Sequence, residues 1–377
     1  MRMKNRLLGR ALLLVAILLT SGILISGCTQ TQSVPKGWSG GAVAEGNLYL
    51  ASMQGKIFAV KVADGSRLWE PVSLETPAQT GFLSCGPSST AVAIYGSPAV
   101  AEGLVYVGGY DGKVYAFNAA SGVERWIYPR QGNLKPFVGG PAVVLGKVYI
   151  GCSDGKLYAL DAATGDYLWK FETGDRIWST PAADGQTVYI GSFDKKFYAL
   201  DASTGEKKWE FQTEGAIISI PIVHNNTVYI GSFDRYFYAL NAADGSLKWK
   251  FMATNWFWAK PVVYKGTIYA GCLDGKVYAL NAATGEKVAE IDLASPVSSS
   301  PVVVDDSIIV ASEEGKIYAI YTGDNQKKEL FDLEVRVDAP LSVSDGVIYV
   351  HTQKKEALHA LDARRGLVLW MLPLTSK

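Results

Sequence analysis

One pattern returns along this chain at a nearly fixed interval, and it restricts the fold more than any other feature. A proline recurs at Pro98, Pro141, Pro181, Pro221, Pro261, Pro301 and Pro340, with Gly41 at the equivalent first place; from Pro141 to Pro301 each step is 40 residues. Behind it come similar segments, such as Gly146-Lys-Val-Tyr-Ile-Gly and Asn226-Thr-Val-Tyr-Ile-Gly. An Asp-Gly-like turn follows, then a second strand (Lys156-Leu-Tyr-Ala-Leu-Asp161), a turn (Ala162-Ala-Thr-Gly165) and a last strand carrying Trp169. With weaker copies beginning at Gly46 and Asp306, the unit is present eight times. Four short strands in roughly 40 residues make one propeller blade. The chain is therefore expected to be all-β, an eight-bladed β-propeller of four-stranded antiparallel blades. The alternation along its strands predicts half-buried β structure.

Residues that recur in every unit are expected to serve the scaffold. A tryptophan returns on the last strand as Trp69, Trp126, Trp169, Trp209, Trp249 and Trp370, while Ala289 and Glu329 take its place in the sixth and seventh copies. Its flat ring and single N–H suit docking on the neighbouring blade and bonding that blade's backbone. Asn118, Asp161, Asp201, Asn241, Asn281 and Asp362 precede the second turn, where a short polar side chain can accept from turn amides.

The N-terminal segment reads as targeting rather than fold. Arg2, Lys4, Arg6 and Arg10 precede an apolar run from Ala11 to Ile25, which ends in Ile25-Ser26-Gly27-Cys28. This resembles a bacterial lipobox, which implies acylation of Cys28. The predicted organisation is a lipoprotein signal peptide over 1–27, an acylated Cys and tether over 28–37, and the propeller over 38–377. Acyl chains anchor by burying CH₂ groups, each worth about 0.8 kcal/mol, so no spanning helix is needed. The expected location is the cell envelope: the periplasmic side of an outer membrane, or the outer face of a single cell membrane.

The run Ala159-Leu-Asp161-Ala-Ala-Thr164-Gly165-Asp-Tyr-Leu-Trp169, with close copies over Ala199 to Trp209 and Ala239 to Trp249, resembles the tryptophan-docking motif of the pyrroloquinoline-quinone (PQQ) repeat family. The resemblance extends from about Trp38 to Leu372. It implies the propeller fold, and it leaves function open between PQQ-dependent oxidoreductases and the cofactor-free BamB-like lipoprotein branch. The enzymes of this family use a disulfide between adjacent cysteines and a Ca²⁺ held by Glu, Asn and Asp, and no Cys-Cys pair occurs here. The expectation is a non-enzyme without cofactor or metal.

Other chemistry finds little support. The three His show no metal-ligand spacing, and no Gly-x-Ser-x-Gly elbow occurs. Asp111, Asp154, Asp194, Asp234 and Asp274 recur at one loop position, but one carboxylate per blade is too sparse for a Ca²⁺ shell of six to eight oxygens. Cys152 and Cys272 stand three blades apart at a position held elsewhere by Ser192 and Ser232, too far around a ring to bridge. Lys+Arg and Asp+Glu both number 36, with no basic excess that would suit nucleic acid. A monomer is expected.

A binding site is best sought where the repeat breaks. With strands A to D running outward, the B–C turns and D–A crossovers share one face. The irregular segments, Pro71 to Tyr95 and Pro129 to Val138, are crossovers on that face. It also gathers unrepeated aromatics and cations: Arg176, Trp178, Phe193, Phe233, Arg235, Trp256, Phe257 and Trp258. Trp, Tyr and Arg dominate interface hot spots. These eight are the candidate partner-binding residues, with a protein as the first expected partner and a cell-wall polymer or carbohydrate as an alternative. In the resembled BamB-like proteins, crossover loops of this face contact a partner protein.

Overall fold

The computed structural model describes residues 39–52, 54–76, 90–353 and 355–374. Cys28, the predicted leader and tether, Trp38 and Cys85 lie outside the described residues. The described chain forms eight four-stranded antiparallel sheets, each built from four consecutive strands, plus a two-stranded ribbon (Glu75–Thr76 with Thr90–Ala91) in the first long crossover. Blade 4 is representative: strand A is Ala182–Ala183, B is Thr187–Gly191, C is Lys196–Asp201 and D is Lys207–Gln212.

The expected half-burial holds only at the outer strand. Strand D of blade 4 alternates, with Trp209 buried between exposed neighbours, but strands B and C are buried on consecutive residues. Each blade is sandwiched between two others, so its middle strands have no solvent face, much as strands covered on both sides read as continuous apolar runs. The core is accordingly a series of seams. Between blades 4 and 5, Tyr189, Phe197, Trp209 and Ile217 pack against Val228, Ile230, Tyr238 and Leu240.

The tryptophans fasten these seams. Trp126 Nε1 donates to the Ala162 carbonyl of the next blade (2.9 Å), Trp169 to Ala202 (3.3 Å), Trp209 to Ala242 (3.0 Å), Trp249 to Ala282 (3.1 Å) and Trp69 to Ala119 (3.0 Å). A tyrosine of strand B donates to the same carbonyls, as Tyr149 does to Ala202 at 2.8 Å. The glycine of the neighbouring Thr-Gly turn makes room for the indole. A Cβ on Gly245 would stand 2.5 Å from Trp209, and one on Gly165 2.5 Å from Trp126. The turn itself is held as expected: Asp161 Oδ1 accepts from the Ala163 and Thr164 amides at 3.0 and 2.9 Å.

The ring closes without strand exchange. Leu48, Leu50, Phe58 and Val60 of blade 1 pack on Tyr349, Leu358 and Ala360 of blade 8. Trp370 Nε1 and the Tyr349 hydroxyl both donate to the Val62 carbonyl, at 3.3 and 3.4 Å. Ser342 Oγ donates to the Gly41 carbonyl (2.7 Å). The buried His351 ring donates from Nδ1 to the Ser39 carbonyl (2.8 Å), and its Nε2 lies 3.1 Å from Oε1 of the buried Glu356.

One assignment along the repeat changes. In blades 3 to 5 the docking tryptophan stands opposite an alanine of strand C, as Trp169 stands opposite Ala159. In blade 7 the bulge has moved to Ile317/Tyr318, so Lys328, not Glu329, lies opposite Ala319. Glu329 turns instead to Lys316, at 3.2 Å. Cys152 and Cys272 are buried free thiols. Burial pushes each thiol up to about 12.

Candidate functional site: an aromatic row on the crossover face

Each B–C turn in this region is tied to the crossover that enters its own blade. The Phe193 amide donates to the Arg176 carbonyl (3.0 Å), Phe233 to Ala216 (2.9 Å) and Leu273 to Trp256 (3.0 Å). The turn aspartate adds further ties. Asp234 accepts from the Glu214 amide (3.0 Å), the Tyr236 amide (2.9 Å) and the Tyr238 hydroxyl (2.8 Å). Asp194 does the same with the Gly174 amide, the Lys196 amide and Tyr198, at 2.7, 2.9 and 2.6 Å. These carboxylates are committed to holding loops together. Among the described residues, no group of three or more His, Cys, Asp or Glu is placed to hold a metal ion.

On this frame the side chains form a row across blades 4, 5 and 6. The Arg176 guanidinium lies 4.7 Å from the Trp178 ring and 4.2 Å from Phe193. Trp178 and Phe193 meet edge to face at 4.8 Å, and Phe193 meets Phe233 at 6.5 Å. Phe233 stacks on Trp256 at 4.4 Å and lies 5.9 Å from Trp258. The crossover into blade 5 adds no ring to the row, because Ala216 stands where its neighbours have Arg176 and Trp256, and Ile218 where they have Trp178 and Trp258. Trp178 Nε1 is spent on Ser153 Oγ (3.1 Å), whereas Trp256 is 42% exposed.

Phe257 leaves the candidate set. It is only 1% exposed and packs on Phe237 and Tyr278 at 5.3 and 6.0 Å. The repeat carries the reason: four residues before the proline, the crossovers have Phe137, Ile177, Ile217, Phe257 and Val297, all buried. That periodic apolar position was the signal that would have separated Phe257 from Trp256 and Trp258.

Arg235 joins the row's surface from an unexpected backbone. Arg235 (φ 74°) and Lys195 (φ 69°) adopt left-handed conformations at the turn position that holds Gly55, Gly112, Gly155, Gly275 and Gly315 in other blades. An L-residue there costs roughly 1–2 kcal/mol relative to glycine's ease. Both side chains are exposed.

Beside the row opens a cavity of about 230 Å³ on the ring axis, lined among others by Tyr95, Trp178, Ile220, Trp258, Lys260 and Ser300. Lys260 occupies the place before the proline, which elsewhere holds Ser97, Gly140, Thr180, Ile220, Ser300 and Ala339. Water reaches it within the cavity, yet the surrounding walls hold its ammonium below the ordinary lysine range by desolvation. Sequence reading passed over Lys260, although no other blade carries a cation at that place.

The family described as outer membrane protein assembly factor BamB matches residues 20–176 and 158–372, nearly the whole propeller. The chain belongs to the BamB family. A BamB of Xanthomonas campestris pv. campestris, named as an outer membrane protein assembly factor, is 35% identical over 86 residues; the match spans 22% of this chain and 19% of that protein. The crystal structure of BamB from Moraxella catarrhalis shares the BamB-family fold at a TM-score of 0.67 and 20% identity, covering 83% of this chain and 90% of that one. The crystal structure of the computationally designed Ika8 protein superposes with a TM-score of 0.68 at 15% identity, covering 90% of this chain and 96% of that one. At these identities the two structures speak for the fold alone.

Proposed function

We propose that this chain is a non-catalytic, protein-binding scaffold of the cell envelope, with a BamB-like part in outer-membrane protein assembly and a lipid anchor at Cys28. The observation that carries the binding reading is the row Arg176, Trp178, Phe193, Phe233, Trp256 and Trp258, flanked by Lys195 and Arg235. A pre-arranged aromatic surface loses little conformational freedom on association. Cations kept at glycine-favouring φ are retained strain, which tends to gather at functional sites. Trp256 and Arg235 are the contacts expected to matter most, because neither is needed inside the fold. Membership in a family described by assembly, together with the commitment of the loop carboxylates to structure, supports the non-enzyme reading.

The test is affinity capture from detergent-solubilised envelopes with the full chain and with a Trp256→Ala/Arg235→Ala variant. Loss of at least tenfold in a specific co-purifying protein, with an unchanged melting temperature, supports the reading. An unchanged set of partners overturns this face as the contact surface. Palmitate labelling that persists in a Cys28→Ala variant would overturn the anchor.

A further inference from the structure

Two seams of the ring lack a docking tryptophan, and the chain treats them differently. Between blades 6 and 7 the tryptophan is Ala289, and the turn glycine of blade 7 is replaced by Asn325 at φ 57°. A Cβ is tolerated there because no indole stands over it. Asn325 Oδ1 accepts from the Tyr269 hydroxyl at 3.3 Å, so that seam is filled from within. Between blades 7 and 8 both usual donors are gone. Ile309 stands where other blades have tyrosine, and the slipped strand D brings Lys328 opposite Ala319. Neither a tyrosine hydroxyl nor an indole N–H of blade 7 is available to the Ala363 carbonyl, the counterpart of Ala162 and Ala202.

What remains is an open cavity of about 480 Å³, lined by the buried Ile309, Ala319 and Ala363, by Gly366, and by exposed side chains of both signs, Lys328 and Arg364 with Asp305 and Glu329. Gly366 keeps the φ of the other turn glycines (68°), but a Cβ on it would meet nothing within 4 Å, whereas the same atom on Gly245 would strike Trp209 at 2.5 Å. The seat is therefore built like the six occupied ones: a turn glycine, an alanine floor and a backbone acceptor at the expected place.

We propose that this seam is a binding seat for an aromatic side chain bearing a hydrogen-bond donor, a tryptophan or tyrosine carried on an exposed segment of a partner protein. The ring would lie over Gly366 and its donor would point at the Ala363 carbonyl. The occupant is specified by the molecule itself, since the same architecture takes an indole in six other seams. The exposed Lys328 lines the seat and offers a cation to the ring, an arrangement aromatic faces favour, while Arg364 beside it is held by Asp305 through paired bonds of 2.8 Å. The seat stands apart from the aromatic row and does not depend on it.

The experiment titrates the full chain with N-acetyl-L-tryptophanamide, followed by ligand-observed NMR. Two variants close the seat using residues other blades already accept: Lys328→Trp and Ile309→Tyr. Saturable binding in the millimolar range is expected, weakened at least tenfold by either variant, retained in Trp256→Ala, and several-fold weaker for N-acetyl-L-phenylalaninamide, which lacks the side-chain donor. Absence of saturable binding overturns the proposal. So does binding that either folded variant leaves undiminished, or that Trp256→Ala abolishes. Should Lys328→Trp fail to fold, Ile309→Tyr carries the test alone.

Discussion

The clearest quantitative test concerns the turn glycines, because the ring contains its own control. Gly245 and Gly366 occupy equivalent positions at φ 74° and 68°. A Cβ at Gly245 would stand 2.5 Å from Trp209 Cε3 and 2.7 Å from Cδ2, and one at Gly366 would meet nothing within 4 Å. Replacing either by alanine carries the same backbone penalty, about 1–2 kcal/mol, partly offset by about 0.4–1 kcal/mol from a less flexible unfolded chain. Gly366→Ala is thus expected to cost about 1 kcal/mol. Gly245→Ala must also displace a buried indole, an overpacking term of about 1–3 kcal/mol, for a total of about 2–4 kcal/mol. In a Trp209→Ala background, itself destabilised by about 3–5 kcal/mol, the indole is absent and Gly245→Ala should fall back to about 1 kcal/mol. Urea unfolding followed by far-UV circular dichroism reads all four variants without relying on tryptophan emission. Equal losses for Gly245→Ala and Gly366→Ala would refute the reasoning, as would a Gly245→Ala cost that ignores the removal of Trp209.

Three other outcomes follow from the geometry. Asp234→Ala strips acceptors from the Tyr238 hydroxyl and from the Glu214 and Tyr236 amides, and a melting curve should show a loss of about 3 kcal/mol, within the range for bonds to a charged group. Lys260 has a folded-state pKa below the ordinary 10.5, so the unfolded chain binds its proton more readily and stability attributable to Lys260 rises with pH between the depressed value and 10.5. Lys260→Met should therefore melt higher than the parent at neutral pH, with the difference narrowing toward pH 10.5; a difference independent of pH would contradict this. Cys152 and Cys272, with thiols pushed up to about 12, should resist iodoacetamide at pH 8 until denaturant is added, as peptide mapping by mass spectrometry will show.

The fold was legible because the repeat is almost gapless, and a period copied eight times averages away local ambiguity. The tryptophan contacts were legible for the same reason: a residue present at most seams has to serve the seam. What escaped was whatever depends on a neighbouring blade rather than on the unit itself. The tyrosine of each Val-Tyr-Ile segment carries no mark that its hydroxyl reaches the same carbonyl as a tryptophan two strands away, as Tyr149 and Trp169 do at Ala202. The shifted bulge that replaces Glu329 by Lys328 is a pairing event, invisible to residue counting. Phe257 was misjudged because three adjacent aromatics look like one patch, whereas a strand-like segment sends the middle one the other way. His351 and Glu356 became meaningful only when the ring brought Ser39 to them.

The uneven distribution of indoles has a mechanical consequence. Blade 7 neither offers a tryptophan to blade 8 nor receives one from blade 6. In a barrel of eight staves it is the stave with no indole peg on either side, tied to blade 6 through the Tyr269–Asn325 bond instead. Local opening draws on the least fastened unit of a structure, so a breach in this ring is expected to begin there, where amide hydrogen exchange in Lys316–Tyr321 would outpace that in Lys196–Asp201. The closed circle would then behave as a split washer, with one place at which it can gape, beside the blade 6 end of the aromatic row.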